Sequence, residues 1–234
     1  MKTMLAVAAV LAAALAFPQA AAGTSVTAQV TPTAQLSYLR TDGGSALLTE
    51  VGRELAEAKV TRYQHDTQVD RANGRFFYDC SGFVDYALGV TRPAALRELP
   101  STASAGRPLA QDYVRHLRQP GRAWQTVPSV PELRPGDVIA WLKTEDSASR
   151  DTGHVMVVLE RPVPAPGRPG GWLVRVADST RDPHASDSRR GGDGLGTGTI
   201  GLDTDGRGRP TAYRWRAALS PHQVATEITL GRAR

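Results

Sequence analysis

The sequence predicts an α+β domain in which N-terminal helices pack on an antiparallel sheet. Three observations lead there. Apolar residues recur at helical spacing early in the chain, at Leu48, Val51, Leu55 and Ala58 and again at Phe83, Val84, Ala87 and Leu88. From Trp124 onward the pattern changes to short β-prone runs separated by turns rich in proline and glycine. Helices therefore precede strands instead of alternating with them, which argues against a parallel α/β sheet.

Each element has a local reason. Residues 1–22 carry Lys2, an apolar run over 4–17 and Ala20-Ala21-Ala22, the order of an export signal and its cleavage site. Residues 23–44, rich in Thr, Ala, Ser and Gly, read as a flexible leader, and 45–234 as one domain whose tail runs over 182–234. A first helix is predicted over 45–59 with Ser45 as its cap, a polar irregular stretch over 63–74, and a second helix over 81–88 stopped by Gly89. A third helix follows over 109–118. Strands are predicted over 124–127, 137–142, 154–160, 172–178, 198–202 and 212–215, with Pro135-Gly136 as a turn. The glycine-rich run 191–201 reads as a surface loop, because it follows no predicted strand and opens no helix.

Composition limits the function classes. The formal charge of +5 rests almost entirely on arginine, since Lys2, Lys59 and Lys143 are the only lysines. No basic helix face or basic patch interleaved with aromatics stands out, so no nucleic-acid partner is expected. No stretch after the signal approaches the length of a membrane span, so no stable membrane insertion is expected once the signal is removed. The expected location is periplasmic or secreted, and the expected state a monomer.

The chemistry centres on Cys80, the only cysteine. Exported proteins usually keep cysteines in pairs. A lone one at a helix N-terminus reads as a reactive thiol, its thiolate favoured by free N–H groups and the helix dipole. His154 opens a β-prone run, and Asp178 closes another beyond a Pro- and Gly-rich loop. Antiparallel pairing about the middle of that loop sets His154 opposite Asp178, Met156 opposite Val176 and Val158 opposite Val174, all on one face. On this reading the Cys80 helix packs on Met156, Val158, Val174 and Val176. A thiol, a base and a third group that holds the base in one tautomer make a nucleophile–base–orienter set. The hairpin pairing selects Asp178 for the third place, with Ser179, His184 and Asp187 as its competitors, and Asp178 can also be read as a strand end. His65, Asp66, Asp70, His184 and Asp187 match no metal-ligand spacing, so neither metal nor cofactor is expected.

Asp79-Cys80-Ser81-Gly82-Phe83-Val84, then Arg134-Pro135-Gly136-Asp137-Val138-Ile139-Ala140-Trp141, then Gly153-His154-Val155-Met156-Val157 resemble, in this order, the NlpC-type papain-like cysteine peptidases and amidases of bacterial cell walls. The resemblance covers roughly residues 45–180. It implies a papain-like fold, Cys80 as nucleophile, His154 as base and the Cys80 backbone N–H in an oxyanion hole. Tyr63 would match the tyrosine over the thiol, and Tyr63 and Ser81 are the candidates on the substrate or oxyanion side. The implied activity is hydrolysis of an amide bond in peptidoglycan peptide through a thioester. The chain departs from the family after Tyr63, where Gln64-His65 replaces a glycine pair, and in the long step from His154 to Asp178. A non-catalytic wall-binding module of the same fold and a cysteine acyltransferase are the alternatives.

Overall fold

The computed structural model describes residues 46–145, 151–189 and 192–234. The expected signal segment, the leader and the Ser45 cap lie outside the described residues.

Helix α1 (Ala46–Glu57) buries Leu47, Leu48 and Val51, and on the same side Glu50 and Glu54. Arg53 and Arg71 pair with Glu50, and the Tyr78 hydroxyl donates to Glu54 Oε2 at 2.7 Å. Burial pushes the Glu54 carboxyl up to about 8. The stretch expected to be irregular instead forms a small sheet: β1 (Val60–Arg62) and β2 (Gln68–Asp70) flank β3 (Arg75–Phe77). These strands are three residues each, too short for period-two alternation to show.

Helix α2 (Cys80–Thr91) begins where Asp79 accepts from the Gly82 N–H at 2.7 Å. It runs through Gly89, contrary to expectation. Its actual stop is Arg92, which precedes Pro93 and is pushed out of the helical region at φ −139°. A short α3 (Pro93–Glu98), missed in the sequence, follows with proline in its first turn. Helix α4 (Ala110–Arg118) agrees with expectation to within one residue.

The expected strands appear as β4 (Trp124–Thr126), β5 (Val138–Leu142), β6 (Gly153–Val158), β8 (Gly171–Thr180), β9 (Gly194–Thr204) and β10 (Pro210–Arg214). Short β7 (Val163–Pro164) pairs with β8, and β11 (Val224–Ala225) and β12 (Ile228–Ala233) come from the tail. One sheet takes the order β11-β10-β9-β8-β6-β5-β12-β4, antiparallel throughout. The tail is therefore no appendage, since β12 lies between β4 and β5. The run 191–201, read as a surface loop, is largely the start of β9, paired residue by residue with β8.

The β6–β8 register is Val157 opposite Ala177 and Val158 opposite Val176, two residues from the expected pairing. A slip of two preserves the face, because side chains alternate with period two. The face on which the helix packs is a second correction. Cys80, Phe83 and Val84 of α2 share a core with Val138, Ala140, Val155, Val157 and Ala177. Met156, Val158, Val174 and Val176 face the other way and pack with Ile139, Trp141, Ile200, Leu202 and Leu230 of the same sheet. Trp141 on β5 stacks on Tyr213 of β10 with ring centres 4.3 Å apart, although β6, β8 and β9 lie between them in the sheet. Only a strongly curled sheet brings those strands together. The architecture is thus α+β, with helices on the outer face of a curled antiparallel sheet.

Glu54 supplies a test of the packing. Its carboxyl titrates near 8 when folded and near 4.5 when exposed, so over that interval the native state holds a proton the unfolded chain has lost. Stability conferred at low pH should then fall as pH rises through the interval. Glu54→Gln keeps an acceptor for Tyr78 and removes the charge. Urea midpoints should show it more stable than the parent by about 1–3 kcal/mol at pH 8, with the gap closing near pH 5.

Candidate active site

Cys80 is the first residue of α2 and is 4% exposed. Asp79 caps the Gly82 N–H, while the Cys80 and Ser81 N–H groups have no acceptor among the described residues. The Val155 backbone N–H donates to the sulfur, so the thiol sits against β6 beside His154. No hydrogen bond joins Cys80 to the His154 ring among the described residues. The expectation of a lowered thiol pKa is overturned. Burial pushes the Cys80 thiol well up, the Asp79 carboxylate adds to this, and the Val155 N–H opposes it while Asp151 and Asp178 raise it further. The magnitudes explain the outcome. A helix terminus contributes about 0.3–1 kcal/mol, whereas full burial shifts a group by up to 3–5 units at about 1.4 kcal/mol each.

His154 and Asp178 meet as expected. His154 Nε2 lies 2.6 Å from Asp178 Oδ2, which leaves Nδ1 as the nitrogen for a thiol. Gly153 sets up this approach. It sits at φ +150° against the Trp141 carbonyl, where any Cβ would collide. His184, held open in the sequence as a competitor for the third place, sits behind Asp178 instead, its Nε2 2.8 Å from the same Oδ2. Its Nδ1 faces the Trp215 carbonyl at 3.1 Å. Both ring nitrogens of His184 thus face oxygen atoms. Arg189 donates to Asp178 Oδ1 at 2.9 Å and to Asp187, while Asp187 accepts from the His184 backbone N–H at 2.7 Å. Burial alone would push the Asp178 carboxyl up, but His184, the His154 bond and the His184 bond outweigh it and hold the group well below the carboxylate range. Ser179 turns elsewhere, its hydroxyl donating to the Tyr78 carbonyl at 2.6 Å.

The glycines of β9 make room for this arrangement. Gly196 pairs with Asp178 and Gly198 with Val176. A Cβ on Gly198 would stand 2.5 Å from His184 Cβ and 3.0 Å from the ring, and one on Gly196 2.7 Å from Arg189 Cγ. The run that reads as loop composition is a pair of side-chain-free notches in which the His184 ring and the Arg189 side chain lie.

Two cavities open beside the thiol and share Tyr63, Asp151 and Gly153. Cys80 lines one of about 380 Å³ and His154 the other of about 610 Å³. Tyr63 donates to Asp151 Oδ1 at 3.3 Å. Burial first, then the neighbouring Cys80 and Asp151, push its phenol well above the usual range. Ser81 lines the Cys80 cavity, with its hydroxyl donating to Asp79 at 3.2 Å and accepting from Arg107 at 2.7 Å. Arg107, missed in the sequence, also reaches Asp79 at 2.7 Å and the His65 carbonyl at 3.1 Å, fastening the first turn of α2. It lies between short elements, where no periodicity or motif marks it.

Chemically, His154 Nδ1 can accept a proton while Asp178 stabilises the resulting imidazolium through Nε2. His154, Asp178 and His184 also place three donor atoms within 4.8 Å of one another. Those atoms already face each other in hydrogen bonds, and Arg189 adds a cation to Asp178. The group is better described as a hydrogen-bonded charge cluster than as a ligand cage.

Two measurements test the site. Iodoacetamide labelling of Cys80 should have its pH midpoint above the ~8.5 of free cysteine. Asp151→Asn, which removes a neighbouring negative charge, should lower that midpoint. Rapid labelling of the folded parent at about pH 6 would contradict the buried, neutral thiol. Separately, Gly198→Ala should lower stability by about 1–3 kcal/mol in denaturant titrations, because it crowds His184. An unchanged midpoint would show that the notch is not needed.

No family model matches the chain, and no solved structure matches it. It is similar to "Uncharacterized protein R653" of Acanthamoeba polyphaga mimivirus, at 29% identity over 154 residues that span 58% of this chain and 67% of the relative.

Proposed function

We propose that the protein is an exported thiol hydrolase that cleaves an amide bond through a Cys80 thioester, with peptidoglycan peptide as its substrate class. The observation that carries the reading is the 2.6 Å bond from His154 Nε2 to Asp178, beside a helix-terminal thiol that touches the next residue of the same strand. The substrate class rests on the resemblance of the Cys80, Pro135-Gly136-Asp137 and His154 segments to the NlpC-type enzymes, as does the papain-like description of the fold. No helix among the described residues is long and apolar enough to cross a membrane.

The steps follow from which atoms face which. At rest the thiol keeps its proton, because burial pushes it up. As the sulfur attacks the amide carbon, His154 Nδ1 takes the thiol proton while its Nε2–H remains on Asp178. The ionised Asp178 stabilises the imidazolium, and the Cys80 N–H supports the oxyanion. The C–N bond then breaks, and the amine departs with the proton from Nδ1. Water repeats the sequence on the thioester, releasing the acid and restoring the thiol. Tyr63, neutral and tied to Asp151, flanks the reacting carbon.

A second reading has one observation in its favour. The thiol is nearly buried and makes no hydrogen bond to His154, as suits a binding module that keeps the fold without turnover. Active sites without ligand are often loose in this way. Incubating the purified protein with peptidoglycan and analysing fragments by mass separates the two. Under the hydrolase reading Cys80→Ala and His154→Ala each abolish cleavage, and the double variant is no worse than either. Asp178→Asn should reduce kcat by about 10²–10⁴-fold while Cys80 alkylation stays measurable. No cleavage by the parent favours the binding module, and full activity in Cys80→Ala overturns the thiol mechanism.

A further inference from the structure

We propose that the cavity on the His154 side of the cleft is an anion-binding subsite for the leaving segment of the substrate, which therefore carries one or more carboxylates. This rests on the hydrolase reading for the word "leaving" but not for the binding itself. A base that returns its proton to the departing amine must be reached by that amine, so the departing segment lies on the side that His154 lines.

The two sides of the cleft differ in charge. The Cys80 side is lined by Asp66, Asp79 and Asp151, against Arg107, which is already bonded to Asp79. The His154 side presents Arg181, Arg216 and Lys143 against Asp151 and Asp182. Arg181 and Arg216 differ from the other arginines of the site. Arg107 and Arg189 are held in ion pairs with buried carboxylates. Arg181 lies over the Tyr63 ring at 4.9 Å, and Arg216 donates one side-chain bond, Nε to the Pro183 carbonyl at 3.3 Å. Neither forms an ion pair among the described residues, yet both are oriented at the cavity by those contacts. Oriented guanidinium groups with free donors suit carboxylates.

The cavity also has a wall for the body of such a ligand. Trp215 packs on His154 at 5.0 Å and on His184 at 4.2 Å, and Trp141 stacks on Tyr213. Tyr213, Trp215 and Arg216 all come from the tail, beyond the stretch that resembles the cell-wall enzymes. The tail thus builds a surface with planar faces and cationic rims, suited to an acidic amino acid or acidic peptide.

The test uses Cys80→Ala, so that no turnover enters the signal. It is titrated with glutamyl-glutamate and with the fully amidated counterpart, following tryptophan fluorescence. The acidic peptide should bind about tenfold more tightly at low salt, with the advantage shrinking as salt rises. Arg181→Gln and Arg216→Gln should each reduce the advantage, and together bring it below about twofold, while Arg207→Gln, outside the cavity, leaves it intact. Circular dichroism checks that each variant is folded. Equal binding of the two peptides, binding of neither, or an advantage that survives the double substitution overturns the subsite. If peptidoglycan is not cleaved but the acidic preference stands, the hydrolase reading fails and the subsite remains. If cleavage is observed without the preference, only the subsite fails.

Discussion

A buried carboxylate stays ionised only when hydrogen-bond donors and positive charge surround it, and Asp178 organises this protein through that requirement. Left alone, a fully buried carboxyl would take up a proton. Here His154, His184 and Arg189 supply three donor groups to its two oxygens. Each belongs to a different part of the chain: β6, the segment after β8, and the approach to β9. Satisfying one acid therefore fixes the end of β6, folds residues 184–189 back over β8 and requires a strand with gaps in its side-chain row. The glycines of β9 are those gaps. Losing one partner from such a set leaves a buried charge short of donors, which costs more than an exposed pair ever returns.

On the hydrolase reading proposed above, the same cluster makes a neutral thiol compatible with catalysis. Two influences compete at Cys80. The helix terminus favours the thiolate, while burial and the carboxylates Asp79, Asp151 and Asp178 favour the thiol. The second set is larger, so readiness does not lie in a preformed ion pair. It lies in a base whose far nitrogen is fixed on an anion, so that charge developing on His154 is met as it forms. The carboxylates that hold the sulfur neutral at rest thus include the one that would stabilise the imidazolium during attack.

What the sequence revealed follows the range of the interaction concerned. The helix at Cys80, the turn at Pro135-Gly136 and the strand at His154 are marked by caps, turn residues and alternation over a few neighbours. The His154–Asp178 pairing was legible because face depends on parity, so an error of two residues in register left the partner correct. The packing face of α2 was not legible, since both faces of β6 and β8 are apolar and the curled sheet buries its concave side with its own residues. Gly89 misled because a single glycine does not end a helix whose next proline lies four residues on. Gly196 and Gly198 misled for the opposite reason. Glycine is depleted in strands, and only the rings and stems of His184 and Arg189 explain its presence there. Arg107 carries no motif, and its role appears only once Asp79, Ser81 and His65 converge.

The tail shows the same limit at the scale of the fold. β12 enters between β4 and β5, with Ile228 opposite Trp141. Its pairing spans almost ninety residues of sequence, beyond any local pattern. That insertion has a consequence for the cleft. β5 gains a neighbour on the side away from β6, the sheet curls, and Trp141 meets Tyr213 and Trp215 from β10 and the turn after it. Trp215 then closes over His154 and accepts the His184 N–H at its carbonyl. The tail that completes the sheet therefore also walls one side of the cleft and holds the second histidine. A truncation at the end of the segment resembling the cell-wall enzymes would remove an internal strand and the cover of His154 together, so the tail cannot be treated as separable from the site.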